Sequence, residues 1–313
     1  MSLYLRARTA VAVAVLMTLL MALPASAITY GERDEEDEYP YVVVVYIFVE
    51  IDGVTLPAWG CSGSVVQEDL VLSVAHCTGE FVPGLEPAAS WVLFGNDLSD
   101  FGQLIPHMLD PDFDVSDPPS VEDLSIDRIV TGTPKAHPEF DGFADFPQTY
   151  DIGVVELHET VSESDYGPFP EIAPPGYLDE LDRDNPRSGI DLTVVGYGDQ
   201  RVQVTGAVID PVTGEPSLTT EHTWDGWRHF GSASLVNLRS SNAGGHNMQI
   251  SGNAGTNGSG TCYGDSGGPI LHGDTIVGLT SFGIGNPMCR GNTNFAYRAD
   301  TEAALDFLDV YRD

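Results

Sequence analysis

Lysine is almost missing from this chain of 313 residues: Lys135 is its only one. Lys and Arg together number 13 against 47 Asp and Glu, which gives a formal net charge of −34. A surface so short of cations repels phosphate backbones and anionic headgroups. It therefore excludes nucleic acid and acidic membrane surfaces as partners. The same excess favours solubility and suits a salty medium, where self-repulsion is screened. Cysteine is also scarce. Cys61, Cys77, Cys262 and Cys289 are the four, and no two of them form a C-x-x-C pair. That argues against a zinc ribbon, and no protein-bound metal is expected at these positions. Apolar runs of membrane-spanning length are absent after residue 23, and no segment repeats.

What is present begins with an export leader. Arg6 and Arg8 precede an uncharged apolar run over residues 10–23, followed by Pro24 and then Ala25-Ser26-Ala27. A positive start, a short apolar run and an A-x-A site are the parts of a secretory signal peptide. Residues 1–27 are read as that leader, and residues 28–313 as one exported domain. The alternative, an uncleaved anchor helix, is disfavoured by the shortness of the run. No membrane association is expected once the leader is gone. An even number of cysteines behind such a leader implies disulfides, with three possible pairings.

The exported part reads as many short β segments between Gly-, Pro- and Asp-rich turns. The candidates are residues 41–51, 62–66, 70–74, 91–94, 126–131, 152–157, 192–197, 234–238, 269–271, 275–281 and 295–297. Gln67-Glu68-Asp69 marks a hairpin turn between the second and third of these, and residues 200–223 a longer hairpin. Such spacing places the chain in the all-β class, as a barrel or sandwich. One helix is expected, at the C-terminus, with Asp300 as its N-cap and Ala304, Leu305, Leu308 and Tyr311 on one face. Residues 109–123 hold six acidic residues and three prolines and read as a surface loop. Asp110, Asp112 and Asp114 within it could hold calcium, a hard cation that prefers carboxylate oxygens. The spacing lacks the glycine and terminal glutamate of an EF-hand, so a solvated charged loop is the competing reading. No other cofactor is expected.

Three segments carry chemistry. Gly264-Asp265-Ser266-Gly267-Gly268-Pro269 sets a serine in a glycine-rich turn, where main-chain N–H groups can converge on one point. A serine hydroxyl needs such donors and an adjacent base to act as a nucleophile. Leu72-Ser73-Val74-Ala75-His76-Cys77 ends a strand with a histidine beside a cysteine, which would fix the backbone of a general base. Tyr150-Asp151-Ile152-Gly153-Val154-Val155 opens an apolar strand with an aspartate that needs a partner if buried. A histidine N–H is the partner that catalysis requires.

These segments occur in the order His, Asp, Ser, and the chain resembles the chymotrypsin/trypsin family of serine proteases, in a secreted, bacterial-type form. Gly60-Cys61-Ser62-Gly63-Ser64 resembles the family's strand before the histidine. Ala136-His137-Pro138-Glu139-Phe140 resembles its His-Pro stretch, Gly196-Tyr197-Gly198 its Gly-Trp-Gly turn, and Thr280-Ser281-Phe282-Gly283 its Ser-Trp-Gly strand. The resemblance implies two six-stranded antiparallel β-barrels, here roughly residues 28–185 and 186–313, with a C-terminal helix. It implies a monomeric endopeptidase acting on proteins or peptides. Ser266 is then the nucleophile, His76 the base and Asp151 its orienting partner, with Gly264 and Ser266 N–H groups as the oxyanion hole. Bridges Cys61–Cys77 and Cys262–Cys289 are implied too. So is an activation pair between a new N-terminal ammonium on Ile28 and Asp265, which leader cleavage after Ala27 would itself create.

The family's primary pocket maps onto Gly260, Ser281, Gly283 and Phe295. With Gly260 at its base no counter-charge faces Arg or Lys, and Phe295 would favour small or medium apolar side chains. Two rivals are weaker. Gly264-Asp265-Ser266-Gly267-Gly268 also satisfies the G-x-S-x-G of α/β-hydrolases, but that fold needs Asp and His after the serine, and His272 is the only histidine there. A non-catalytic binder on the same fold would have lost one of His76, Asp151 and Ser266, and all are present.

Overall fold

The computed structural model describes residues 28–110, 112–184, 189–209, 216–251, 258–285, 288–289 and 293–312. The expected leader, residues 1–27, and the expected boundary at residues 185–186 lie outside them. A short β1 (Glu32–Arg33) precedes β2 (Val42–Ile51), β3 (Val54–Gln67), β4 (Leu70–Ser73), β5 (Pro87–Phe94), β6 (Arg128–Ala136) and β7 (Gly153–Leu157). Valine, isoleucine and aromatic residues dominate β2, and β5 ends on Trp91-Val92-Leu93-Phe94, where branched and flat side chains pack well on a pleated surface. Strands β2 to β7 pair in the order β2-β3-β4-β7-β6-β5, and β5 returns to β2. The sheet closes on itself and leaves no free edge.

The second half supplies β8 (Glu171–Ile172), β9 (Asp191–Gly196), a separate hairpin of β10 (Arg201–Ile209) and β11 (Pro216–Thr223), then β12 (His229–Asn237), β13 (Asn247–Ile250), β14 (Pro269–His272), β15 (Thr275–Ile284) and β16 (Thr293–Arg298). Here the order is β9-β12-β13-β16-β15-β14, and both β12 and β14 pair with β9, so this barrel closes as well. The short β1 and β8 attach to β12 and β15. The molecule is thus two closed six-stranded antiparallel barrels, as expected. Both hairpins read from the sequence are present, β3–β4 across Glu68-Asp69 and β10–β11.

Packing explains where the loops lie. Phe48 and Trp91 are fully buried with ring centroids 5.0 Å apart, and each such side chain contributes about 2–3 kcal/mol when removed from water. Phe113 covers them, 5.4 Å from Phe48 and 5.6 Å from Trp91. Trp91 Nε1 donates to the Val115 carbonyl at 2.7 Å. Residues 109–123 are therefore a surface loop with an apolar anchor, their carboxylates outside and Phe113 turned in.

Two helical expectations need correction. The C-terminal helix, Glu302–Leu308, is capped by Thr301, whose Oγ1 accepts from Ala304 N, and not by Asp300. Asp300 caps a different helix, Tyr177–Asp184, accepting from Leu178 N at 2.8 Å while two hydrogen bonds from Arg298 hold it. That eight-residue helix was not expected; its acidic first turn and closing Arg183 suit the helix dipole.

Candidate active site

Strand β4 delivers His76 by running into a single helical turn, α1 (Ala75–Thr78). The disulfide Cys61–Cys77 ties that turn to β3, and Trp59 Nε1 donates to the Cys77 carbonyl at 3.0 Å. Thr78 Oγ1 bonds both Val74 O and Lys135 O at 3.1 Å, drawing β6 onto the turn. Gly153 lets β7 come equally close, since a Cβ there would stand 2.0 Å from Thr78 Oγ1. This approach sets Asp151 beside His76.

Asp151 has no solvent exposure, and a buried carboxylate is costly unless donors surround it. It has three. His76 N donates to Oδ1 at 2.9 Å, His76 Nδ1 lies 2.9 Å from Oδ2, and Ser281 Oγ donates to Oδ2 at 2.5 Å. An ionised carboxylate only accepts, so Nδ1 carries the imidazole proton and Nε2 keeps its lone pair. The ring packs beside Phe81 and Phe143, at centroid distances of 5.7 and 6.0 Å, and those two rings also touch each other at 6.1 Å. Neither phenylalanine was singled out in the sequence.

Ser266 stands in a turn that only glycines permit. Gly264 has φ +92° and Gly267 φ +81°, and a Cβ on Gly267 would meet Ser73 Oγ at 2.1 Å. The turn is held from the first barrel. Ser62 N donates to Ser266 O and Ser62 Oγ to Gly264 O, both at 2.8 Å. Neither Gly264 N–H nor Ser266 N–H has an acceptor among the described residues. The disulfide Cys262–Cys289 braces the flank, so both pairings implied by the resemblance are present.

Between Cys262 and Ser266, Asp265 is fully buried, accepting from Gly198 N and Cys262 N at 2.8 Å each. Burial pushes its pKa up to about 7, against a smaller opposing effect of those two donors. Ile28 is fully buried in the core of the second barrel, and Thr29 pairs with Gly260 through both backbone groups. Gly260 is thereby occupied by the N-terminal segment.

His76, Ser266, Ser281 and Gly283 line one cleft of about 440 Å³. Gly260 and Phe295, expected there, do not. β15 carries one extra residue, Ser281, between Thr280 and Phe282, which pair with the neighbouring Ala296 and Phe295 of β16. Phe295 stacks on Phe282 at 4.8 Å, 1% exposed, and Asn294 faces the cleft with Thr261 and Thr280. Thr280 lies in the segment read as resembling the family's Ser-Trp-Gly strand, whereas Thr261 and Asn294 were not singled out in the sequence. Another depression, of about 1000 Å³ between Glu68, Ser162 and Tyr311, contains neither Ser266 nor a histidine among the described residues. In the acidic loop, Asp110 and Asp114 each accept from backbone N–H groups two residues on, and all three candidate calcium ligands are exposed. The described residues include one group of close potential ligand atoms, Cys61, His76 and Cys77, whose two sulfurs are already bonded to each other. No helix among the described residues is long and apolar enough to cross a membrane.

The family model described as Trypsin matches residues 133–305, more than half of the chain, a span holding Asp151 and Ser266 but starting after His76. Trypsin 5G1 of Aedes aegypti is 23% identical over 226 residues, 72% of this chain and 66% of that protein. Among solved structures, a neuropsin described as a serine protease of mouse brain superposes with a TM-score of 0.54 at 15% identity, covering 90% of this chain and 99% of that one. An HL collagenase gives 0.56 at 16% identity, covering 90% and 97%. Likeness at this identity speaks for the fold. The organisms these names give are animals, so the bacterial-type form of the resemblance rests on the sequence alone.

Proposed function

The chain belongs to the trypsin family, and from that premise we propose that it is an exported, monomeric serine endopeptidase using Ser266, His76 and Asp151. The observation that carries the reading is the fully buried Asp151 carboxylate, satisfied by two groups of His76 in the cleft that Ser266 lines. Ser266 Oγ attacks the scissile carbonyl as His76 Nε2 takes its proton. The oxyanion is received by the N–H groups of Gly264 and Ser266, a contribution of about 3 kcal/mol each. His76 returns the proton to the leaving amine, and water then releases the acyl group by the same steps in reverse. Asp151 holds the imidazole in the required tautomer and stabilises its charged form.

Export is supported by the leader-like residues 1–27 and by the two disulfides. Leader cleavage after Ala27 would free an ammonium on Ile28, the residue already buried in the second barrel next to the Thr29–Gly260 pairing. Asp265, fully buried and held by neutral donors only, is its proposed partner. Among the described residues no carboxylate lines the cleft, so cleavage after Arg or Lys is not expected. The test is labelling by a serine-directed fluorophosphonate alongside peptide hydrolysis. Secreted protein should label at Ser266, and Ser266→Ala should lose both labelling and at least about 10⁴-fold in kcat. Correctly processed protein that neither labels nor cleaves rejects the reading.

A further inference from the structure

A second recess adjoins the nucleophile turn on its other side. It holds about 320 Å³ and shares Tyr263 with the cleft already described, but Gly264 and Cys61 line it in place of Ser266 and His76. Aromatic rings from four separate stretches of chain form its walls. Tyr46 comes from β2, Phe101 from a short helical turn (Ser99–Leu104), Trp224 from the foot of the β10–β11 hairpin, and Tyr263 from the segment before Gly264. The rings of Tyr46 and Phe101 lie 5.0 Å apart and those of Phe101 and Trp224 6.0 Å, between centroids. Trp224 Nε1 donates to the Tyr197 carbonyl at 2.7 Å, which fixes the indole. Trp224 and Tyr263 are still 41% and 52% exposed, so a ligand can reach them. Gly60 lines the recess too. A Cβ there would stand 3.5 Å from Tyr46 Cδ2, and its absence leaves that ring uncovered.

The position of the recess decides which part of a substrate it meets. On the mechanism above, the scissile carbonyl lies over Ser266 with its oxygen on the N–H groups of Gly264 and Ser266. The side chain before that bond enters the cleft lined by Ser281 and Gly283. Chain beyond the bond then passes Gly264 toward the second recess. In extended backbone successive side chains point to opposite faces, and residues two apart share one. We propose that the recess holds a bulky apolar side chain, that of the second residue after the scissile bond, so that the protein selects its leaving group as well as its acyl group. The inference rests on Ser266 being the nucleophile and on that oxyanion hole. Covering rings that are otherwise wet with an apolar side chain is favourable, and a glycine at the same place gains nothing. Among the described residues Asp199 is the one charged group lining the recess, and His222 Nδ1 already lies 2.5 Å from its Oδ2. A substrate carboxylate would face that aspartate across an apolar wall. The β10–β11 hairpin forms a sheet of its own, and through Trp224 it becomes part of the site.

The experiment measures kcat/KM of the secreted, processed protein on peptides that share one acyl sequence, chosen as one it cuts in a mixed library. The peptides differ only in carrying Phe, Leu, Gly, Asp or Arg two places after the bond. Phe and Leu should exceed Gly and Asp by at least about tenfold. Trp224→Ala removes a wall and Gly60→Leu fills the recess, and each should bring the ratio of Phe to Gly below about threefold. A methyl ester of the same acyl sequence has no residue to place in the recess, so both variants should cut it within about threefold of the wild-type rate. An equal loss on ester and peptides would make Trp224 and Gly60 merely structural and overturn the assignment. Fluorophosphonate labelling of Ser266 is run in parallel. Labelled wild-type protein that shows a smaller preference, favours Gly, Asp or Arg, or cuts nothing in the library overturns the recess and leaves the nucleophile standing. Wild-type protein that neither labels nor cuts overturns both. The wild-type panel is decisive even where a variant does not fold.

Discussion

Asp151 and Asp265 are both carboxylates without solvent, and the difference in their partners separates their roles. Asp151 meets a histidine and a serine hydroxyl, whereas Asp265 meets only two backbone N–H groups. In Asp151→Asn the amide can keep the shape but not the acceptor-only character. It favours the imidazole tautomer with its proton on Nε2, facing the cleft. On the proposed mechanism kcat should fall on the order of 10⁴-fold with little change in Tm; a loss below tenfold would remove Asp151 from the triad. Asp265 is a stability switch. Its pKa is raised by burial from 3.8 to about 7, so the folded state holds a proton that the unfolded chain has already released. Between about pH 4 and pH 7 the folded state therefore binds more protons, and stability falls as pH rises, by on the order of 4 kcal/mol in total. A new ammonium on Ile28 would offset that loss. Denaturant midpoints at pH 4.5 and 7.5 should drop for a chain uncut ahead of Ile28, and drop less for one that begins there. Asp265→Asn in the uncut chain should remove the excess drop. Equal drops in the cut and uncut chains would separate Ile28 from Asp265.

At the scale of elements, one buried arginine straps the N-terminal segment across both barrels. Arg228, at the foot of β12, is fully buried. Its Nε donates to Asp34 Oδ2 at 2.7 Å, its Nη1 to Val42 O in β2 and to the Tyr197 hydroxyl, and its Nη2 contacts Asp37. Arg228→Met leaves the buried Asp34 carboxylate without its cation, which should cost about 3–5 kcal/mol and lower Tm by roughly 10 °C in a chain of this size. Adding Asp34→Leu should recover part of the loss, because removing both charges is milder than removing one. A single variant as stable as wild type would show that the strap carries nothing. Nothing in the local pattern around Arg228 announces this role, since Asp34 lies 194 residues away, Asp37 191, Val42 186 and Tyr197 31. The strands were legible for the opposite reason: runs such as Val42–Ile51 declare their conformation locally. His76, Asp151 and Ser266 were legible because their flanking cysteine, strand and glycines impose local geometry. The place of Asn294 rather than Phe295 on the cleft was not, because which face of β16 turns inward is settled between strands. Asp300 was read rightly as a cap but assigned to the adjacent helix, and only the tertiary fold brings Leu178 within its reach.

For the whole molecule the dominating quantity is charge of one sign. A formal net charge of −34 with a sequence pI near 4.1 means that folding gathers like charges onto a compact surface, a self-repulsion that opposes the folded state at neutral pH. The closed barrels resist it through their apolar cores, while residues such as Asp110, Asp112, Asp114 and Asp117 stand exposed in one loop. Salt weakens only the repulsive side of this balance, since the screening length falls from about 10 Å at 0.1 M to about 3 Å at 1 M. Tm should therefore rise by several degrees between 0.1 M and 1 M NaCl, measured by scanning calorimetry at pH 7. Replacing the four loop aspartates by asparagine should raise Tm at low salt and flatten the salt dependence, because part of the repulsion has already gone. The disulfides and the buried Arg228 and Asp151 contacts are shielded from solvent ions and should contribute little to the slope. A Tm independent of salt in the wild type would mean that the acidic surface is spread too widely to strain the fold. The scarcity of lysine would then serve solubility alone.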